Sequence, residues 1–137
     1  MITHVLDTSA ILAHYLNEPG ADDVNAILAQ GPEVAGISLI GLVELRSRLA
    51  EVAANPQEAE RAFKLYTGML TTVLPFSRET ADAAMSLRAA TRPRLPLVDA
   101  LIAASAKQHS AILVHRDPHM ATIPASLLNQ VMLPPKK

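Results

Sequence analysis

The stretch Ile2-Thr3-His4-Val5-Leu6-Asp7-Thr8-Ser9-Ala10-Ile11-Leu12 changes character at its single acid. Residues 2–6 are short, apolar and rich in β-branched side chains, which predicts a buried strand. Ile11, Leu12, Tyr15 and Leu16 share one side of a helix that begins after the acid and stops at Asn17-Glu18-Pro19-Gly20. Asp7, Thr8 and Ser9 occupy the junction, and each of these residue types can cap a helix. Three such residues in a row exceed what one cap requires. The spare hydroxyls of Thr8 and Ser9 are therefore candidates to bond other acids or a bound water.

The alternation continues outward. Glu33–Ile37 reads as a second strand, and Ser38 caps a helix to about Ala54 with Leu42, Leu45, Leu49 and Val52 as its stripe. Asn55-Pro56-Gln57-Glu58 opens another helix, whose expected buried face is Ala59, Ala62, Phe63, Tyr66 and Leu70. Thr72–Phe76 is a strand broken by Pro75. Ser77 caps a helix that carries Ala81, Ala84, Met85 and Arg88. Val98–Gln108 is a helix, and Ala111–His115 and Gln130–Leu133 are strands. Strands alternating with helices give an α/β fold: a central, mostly parallel sheet of about five strands with helices on both faces. All of residues 1–137 are expected to form one domain.

Composition narrows the classes. Half of the residues are hydrophobic but only 3% are aromatic, so the core is built from Leu, Val, Ile and Ala. The absence of cysteine excludes disulfides and thiolate metal sites. No run approaches the ~18 apolar residues of a membrane span, and residues 1–4 do not resemble a secretory signal. The expectation is a cytoplasmic protein with no membrane partner. The formal charge of −1 argues against a simple polyanion binder.

Asp7, Glu44, Asp99 and Asp117 each lie beside or just after an apolar run. A carboxylate there is costly to bury without compensation, and several converging on one point repel unless a cation lies between them. In open α/β sheets, ligands sit outside the carboxyl ends of the strands, where Asp7 and Asp117 fall. The pattern points to a divalent metal, Mg or Mn, held by hard oxygen ligands for phosphoryl chemistry. With those four acids set aside, nine acids face 12 bases, compatible with local arginines holding phosphates. Arg92, Arg94 and Arg116 are the candidates to hold a phosphate backbone. Each acid also has an ordinary reading: a cap for Asp7 and Asp99, a turn for Asp117 before Pro118, and an i,i+4 pair with Arg48 for Glu44. His115 and His119 flank Asp117, but Pro118 interrupts them, so a histidine-based zinc site is not expected.

Taken in order, these acids resemble the PIN-domain ribonucleases, and in particular the toxin component of VapBC-type toxin–antitoxin pairs. The resemblance rests on Val5-Leu6-Asp7-Thr8-Ser9-Ala10-Ile11-Leu12, on Ser38 to Leu45 around Glu44, on Leu95-Pro96-Leu97-Val98-Asp99-Ala100-Leu101-Ile102-Ala103-Ala104, and on Leu113-Val114-His115-Arg116-Asp117. It implies a metal-dependent endoribonuclease in which Asp7 and Asp99 are the main ligands and Glu44 and Asp117 complete the cluster. It also implies cleavage to a 5′-phosphate and 3′-hydroxyl, structured RNA such as transfer or ribosomal RNA as substrate, and a cognate antitoxin that occludes the pocket. A homodimer or a toxin–antitoxin hetero-oligomer would fit the apolar surplus. One departure is His115, where the family commonly has Thr or Ser; imidazole could replace the hydroxyl that orients Asp117 or a water. The aromatic residue often found after the fourth acid is also missing. The alternatives are a non-catalytic PIN-like module that binds RNA or protein, and, less well matched, a haloacid-dehalogenase-type phosphatase, which would need an acid where Ser9 stands. No phosphate-binding Gly-rich loop is present.

Overall fold

Five short strands make one sheet in the order β3-β2-β1-β4-β5, and every neighbouring pair is parallel. The computed structural model describes residues 1–136. Its strands are β1 (His4–Leu6), β2 (Ala35–Ser38), β3 (Thr72–Leu74), β4 (Ile112–His115) and β5 (Gln130–Met132). Between them run α1 (Thr8–Tyr15), α2 (Ala21–Leu28), α3 (Leu39–Val52), α4 (Pro56–Met69), α5 (Arg78–Ala90), α6 (Leu97–Gln108) and the four-residue α7 (Pro118–Ala121). None of these helices is long and apolar enough to cross a membrane.

The period of two in the central strands sends their side chains into two separate cores. Val5 and Leu113 face one core with Leu74, Leu87, Ile102, Ala103 and Met120, under α5, α6 and α7. Leu6, Ile37 and Val114 face the other with Ile11, Val24, Leu45, Leu49 and Tyr66, under α1 to α4. Both faces are covered, so the sheet can be wholly parallel and its strands apolar throughout. The caps work as the sequence implies: Ser38 accepts from Gly41 N–H, and Asn55 accepts from Glu58 N–H.

α5 buries a face that its apolar residues do not mark. Its buried residues are Thr80, Ala84 and Leu87, whereas Ala81 is exposed and Met85 is 55% exposed. This follows from the capping box at Ser77. Thr80 Oγ1 accepts from the Ser77 backbone N–H and donates to Gln108 Oε1 at the end of α6. A hydroxyl with partners on both sides can be buried, so the helix turns its polar residue inward and its methionine outward.

Candidate metal and phosphoryl-transfer site

β1 sits mid-sheet, and the chain passes to β2 and β3 on one side and to β4 and β5 on the other. Such a reversal leaves a crevice at the carboxyl ends of the strands. Asp7 follows β1, and its N–H still bonds Val114 O at 3.0 Å, so its carboxylate emerges at the strand end. Asp117 follows β4 and caps α7. Glu44 lies in the second turn of α3, which leaves the end of β2, and Asp99 lies in the first turn of α6. All four line one cleft of about 370 Å³, together with Thr8, Ser9, Arg48, Arg116 and Lys136 among others.

Three of the acids, Asp7, Glu44 and Asp117, have specific side-chain contacts. Asp7 is 7% exposed. Its Oδ2 accepts from the N–H of Ser9 at 3.1 Å and from the Ser9 hydroxyl. Ser9 Oγ in turn accepts from Arg116 N–H at 2.9 Å, joining the β1 and β4 ends. Thr8 Oγ1 donates to Gly41 O at 3.3 Å and lies 3.5 Å from Glu44 Oε1, tying α1 to α3. Arg48 pairs with Glu51, not with Glu44, which leaves the Glu44 carboxylate to the cleft.

His115 is fully buried, and both ring nitrogens are used. Nδ1 accepts from Asp117 N–H at 3.0 Å, so the proton is on Nε2, which donates to Gln130 Oε1 at 2.7 Å. Gln130 completes the chain by donating to Ile123 O. The imidazole therefore fixes the backbone of the fourth acid, not its carboxylate and not a water.

Electrostatics report the crowding. Burial raises the Asp7 carboxyl, partly offset by the Ser9 hydroxyl and N–H. Burial and then Asp7 raise Glu44. Asp99 is pushed up to about 7, first by burial and then by Asp117, Asp7 and Glu44. Ligand atoms of Asp99, Asp117 and His119 all lie within 4.8 Å of one another. The sequence gave His119 no metal role, yet its N–H bonds Asp117 Oδ1 at 2.9 Å and its ring edges the site. This donor set, carboxylate oxygens with one peripheral imidazole, fits a hard divalent cation such as Mg or Mn.

The arginine candidates separate. Arg92 and Arg94 surround a different concavity with Arg88 and Met85 and do not line the cleft. Arg92 NH1 donates to Ala89 O and Thr91 O, finishing the carbonyl end of α5. Arg116 does line the cleft, but its side chain is 8% exposed and ion-paired with Glu18 at 2.6 Å. Arg48 and Lys136 also line the cleft, and Glu18 pairs with Arg116 and Lys136; sequence reasoning gave none of the three a place in the site. Glu18 and Arg116 are 98 residues apart, so no local spacing announces their pairing.

The PIN-domain family model matches residues 4–125. The chain belongs to the PIN-domain family. Curated protein sequences gave no match. Among solved structures, this PIN domain is similar to VapBC2 from Rickettsia felis bound to a promoter DNA fragment, with a TM-score of 0.75 and 20% identity over 98% of this chain and 100% of that one. It is also similar to DNA-bound VapBC from Salmonella typhimurium (TM-score 0.76, 20% identity, 96% and 98% covered). FitAcB from Neisseria gonorrhoeae gives a TM-score of 0.72 and 26% identity, with 95% and 96% covered. The structural likeness and the family match agree on the fold of this PIN domain.

Proposed function

We propose that this PIN domain is a metal-dependent endoribonuclease and the toxin of a type II toxin–antitoxin pair. The observation that carries the proposal is the convergence of Asp7, Glu44, Asp99 and Asp117, from four separate places in the chain, on one cleft at the strand ends. Such a cluster destabilises the protein unless a cation neutralises it, and four converging carboxylates are more than caps require. Asp7 and Asp99 would be the main ligands of a Mg or Mn ion, with Glu44 and Asp117 completing the cluster; ligand atoms of Asp99 and Asp117 lie within 4.8 Å of each other, and Asp7 and Glu44 are near enough to raise Asp99. When bound, the ion would supply Lewis-acid activation of a water and neutralise charge at phosphorus, giving a 5′-phosphate and a 3′-hydroxyl.

The chain's own residues supply the preorganisation. Ser9 holds Asp7, Thr8 ties the helix carrying Glu44 to α1, and His115 pins the backbone of Asp117. None of these groups needs to reorganise when an anionic substrate arrives.

A protein partner is supported by exposed apolar side chains on the two helices that carry Glu44 and Asp99. Leu39 and Val43 on α3 are 43% and 59% exposed, and Leu97 and Val98 at the start of α6 are 57% and 37% exposed. These side chains flank Glu44 and Asp99. Exposed apolar side chains on the helices of a charged cleft suit an antitoxin that buries them and sends a cation to the carboxylates. The VapBC structures named above are of toxin–antitoxin assemblies, which is in keeping with this reading. The substrate in this account is structured RNA, transfer or ribosomal.

Induced expression in a bacterial host tests the proposal. Wild type is expected to arrest growth and leave discrete RNA fragments, and Asp99→Asn, expressed to the same level, to do neither. Equal arrest by both proteins would remove Asp99 from the mechanism. Intact RNA with unimpaired growth would favour a non-catalytic binding module.

A further inference from the structure

Beside the carboxylates, the cleft is also lined by two cations, Arg116 and Lys136, that the metal chemistry does not use. Glu18 Oε1 accepts from Arg116 at 2.6 Å, while its Oε2 lies 3.8 Å from Lys136 Nζ. One carboxylate thus faces two cations, leaving this wall with a net positive charge. Arg116 NH1 is buried and has no hydrogen-bond partner among the described residues. A guanidinium nitrogen buried without an acceptor is costly, so its charge is only partly satisfied by Glu18. The Lys136 contact is different in kind. The distance exceeds a hydrogen bond and the side chain is 59% exposed, so the contact is weak and easily exchanged.

The fold delivers Lys136 to this place. Leu133 N–H bonds His115 O at 2.7 Å, extending the β4–β5 pairing past β5. The Leu133 side chain is 1% exposed and packs on Gly20, where a Cβ would come within 3.0 Å of it. Pro134 and Pro135 then restrict the backbone, so the exposed lysine follows a buried anchor through a stiff connector. A tail held in this way loses little entropy when its ammonium meets a ligand.

We infer that Lys136, positioned through Glu18 by the buried Arg116, grips a backbone phosphate of the RNA strand next to the scissile bond. This rests on the ribonuclease reading above and extends it to how the strand is held. Arg116 is a positioning residue: it is too deep to reach the strand and acts by fixing Glu18. A phosphate oxygen would take the Lys136 ammonium from its loose contact and sit in the positive potential of Arg116.

The test is direct binding, independent of cleavage. Fluorescence anisotropy of a labelled single-stranded oligoribonucleotide is measured with the Asp99→Asn protein in EDTA, across a series of salt concentrations. Adding Lys136→Gln should weaken binding about 3- to 10-fold at low salt. It should also make the slope of log K against log salt shallower by roughly 0.7, the value for one lost phosphate contact on a single strand. Lys136→Arg should restore both. Unchanged affinity and slope would overturn the inference, and so would tighter binding, which would mean that Lys136 obstructs the cleft. Because no catalysis is read, failure of the ribonuclease reading would show separately, as wild-type protein that binds RNA and does not cut it.

Discussion

Replacing Asp99 by Asn is expected to cut RNA cleavage about 10³-fold or more and, at the same time, to make the metal-free protein more stable. The first effect follows from removing a carboxylate whose metal-borne stabilisation is worth several kcal/mol. The second follows from the crowding of charge. Asp99 rises from 3.8 to about 7 in the folded protein, because of burial and the neighbouring Asp117, Asp7 and Glu44. A carboxyl raised on folding binds its proton more tightly when folded. Its favourable contribution is complete below the unfolded value near 4 and is lost as pH rises through about 7. At pH 8 the ionised Asp99 therefore opposes folding, and the neutral amide does not. Because the side chain is partly exposed, the gain is put at about 1–2 kcal/mol, or roughly 3–8 °C in melting temperature. Thermal melts in EDTA at pH 8 and pH 5 measure it, and the advantage should shrink at the lower pH. In wild type, Mn²⁺ should raise the melting temperature more at pH 8 than at pH 6, because ion and proton compete for the same carboxylates. A variant that is less stable than wild type at pH 8 would contradict the crowding.

Glu18→Ala is expected to destabilise the protein by about 2–4 kcal/mol. The Arg116 side chain is 8% exposed, and its NH1 is already without a partner. Removing Glu18 takes away the acceptor of NH2 as well and strands a buried charge, which is the expensive half of breaking an ion pair. The estimate lies toward the low end for buried pairs because Glu18 itself is 23% exposed. Arg116→Met in the Glu18→Ala background should recover part of the loss, since no unpaired charge then remains. Urea unfolding of the two single variants and the double variant reads this coupling. A Glu18→Ala change below about 0.5 kcal/mol would mean that the pair is a surface contact of the ordinary weak kind.

Much of this was legible in the chain because it is encoded locally. The strand-to-helix junction at Asp7, the caps at Ser38, Asn55 and Ser77, and the order of the four acids need only a few neighbouring residues to be read. What escaped is non-local. Glu18, Arg116 and Lys136 meet only because the segment after α1, the end of β4 and the tail after β5 come to one edge of the sheet. Arg92 and Arg94 were placed near the acids because they precede α6 in sequence. In space they stay with the carbonyl end of α5, whose unpaired oxygens Arg92 takes up. The buried face of α5 is not legible in its sequence, because a pattern of apolar residues cannot reveal that Thr80 is satisfied by Ser77 and Gln108. His115 illustrates the same limit in the opposite sense. As a departure from the family pattern it suggested altered chemistry, yet the ring is spent on the backbone of Asp117 and on Gln130.

The most direct test is cleavage of end-labelled structured RNA by purified protein, with Mg²⁺ or Mn²⁺ against EDTA, and with Asp7→Asn purified in parallel as control. The account predicts discrete fragments bearing 5′-phosphates, formed only by wild type and only with the metal. Cleavage that persists in EDTA, or that Asp7→Asn retains in full, would contradict a carboxylate-held metal as the centre of this protein's function.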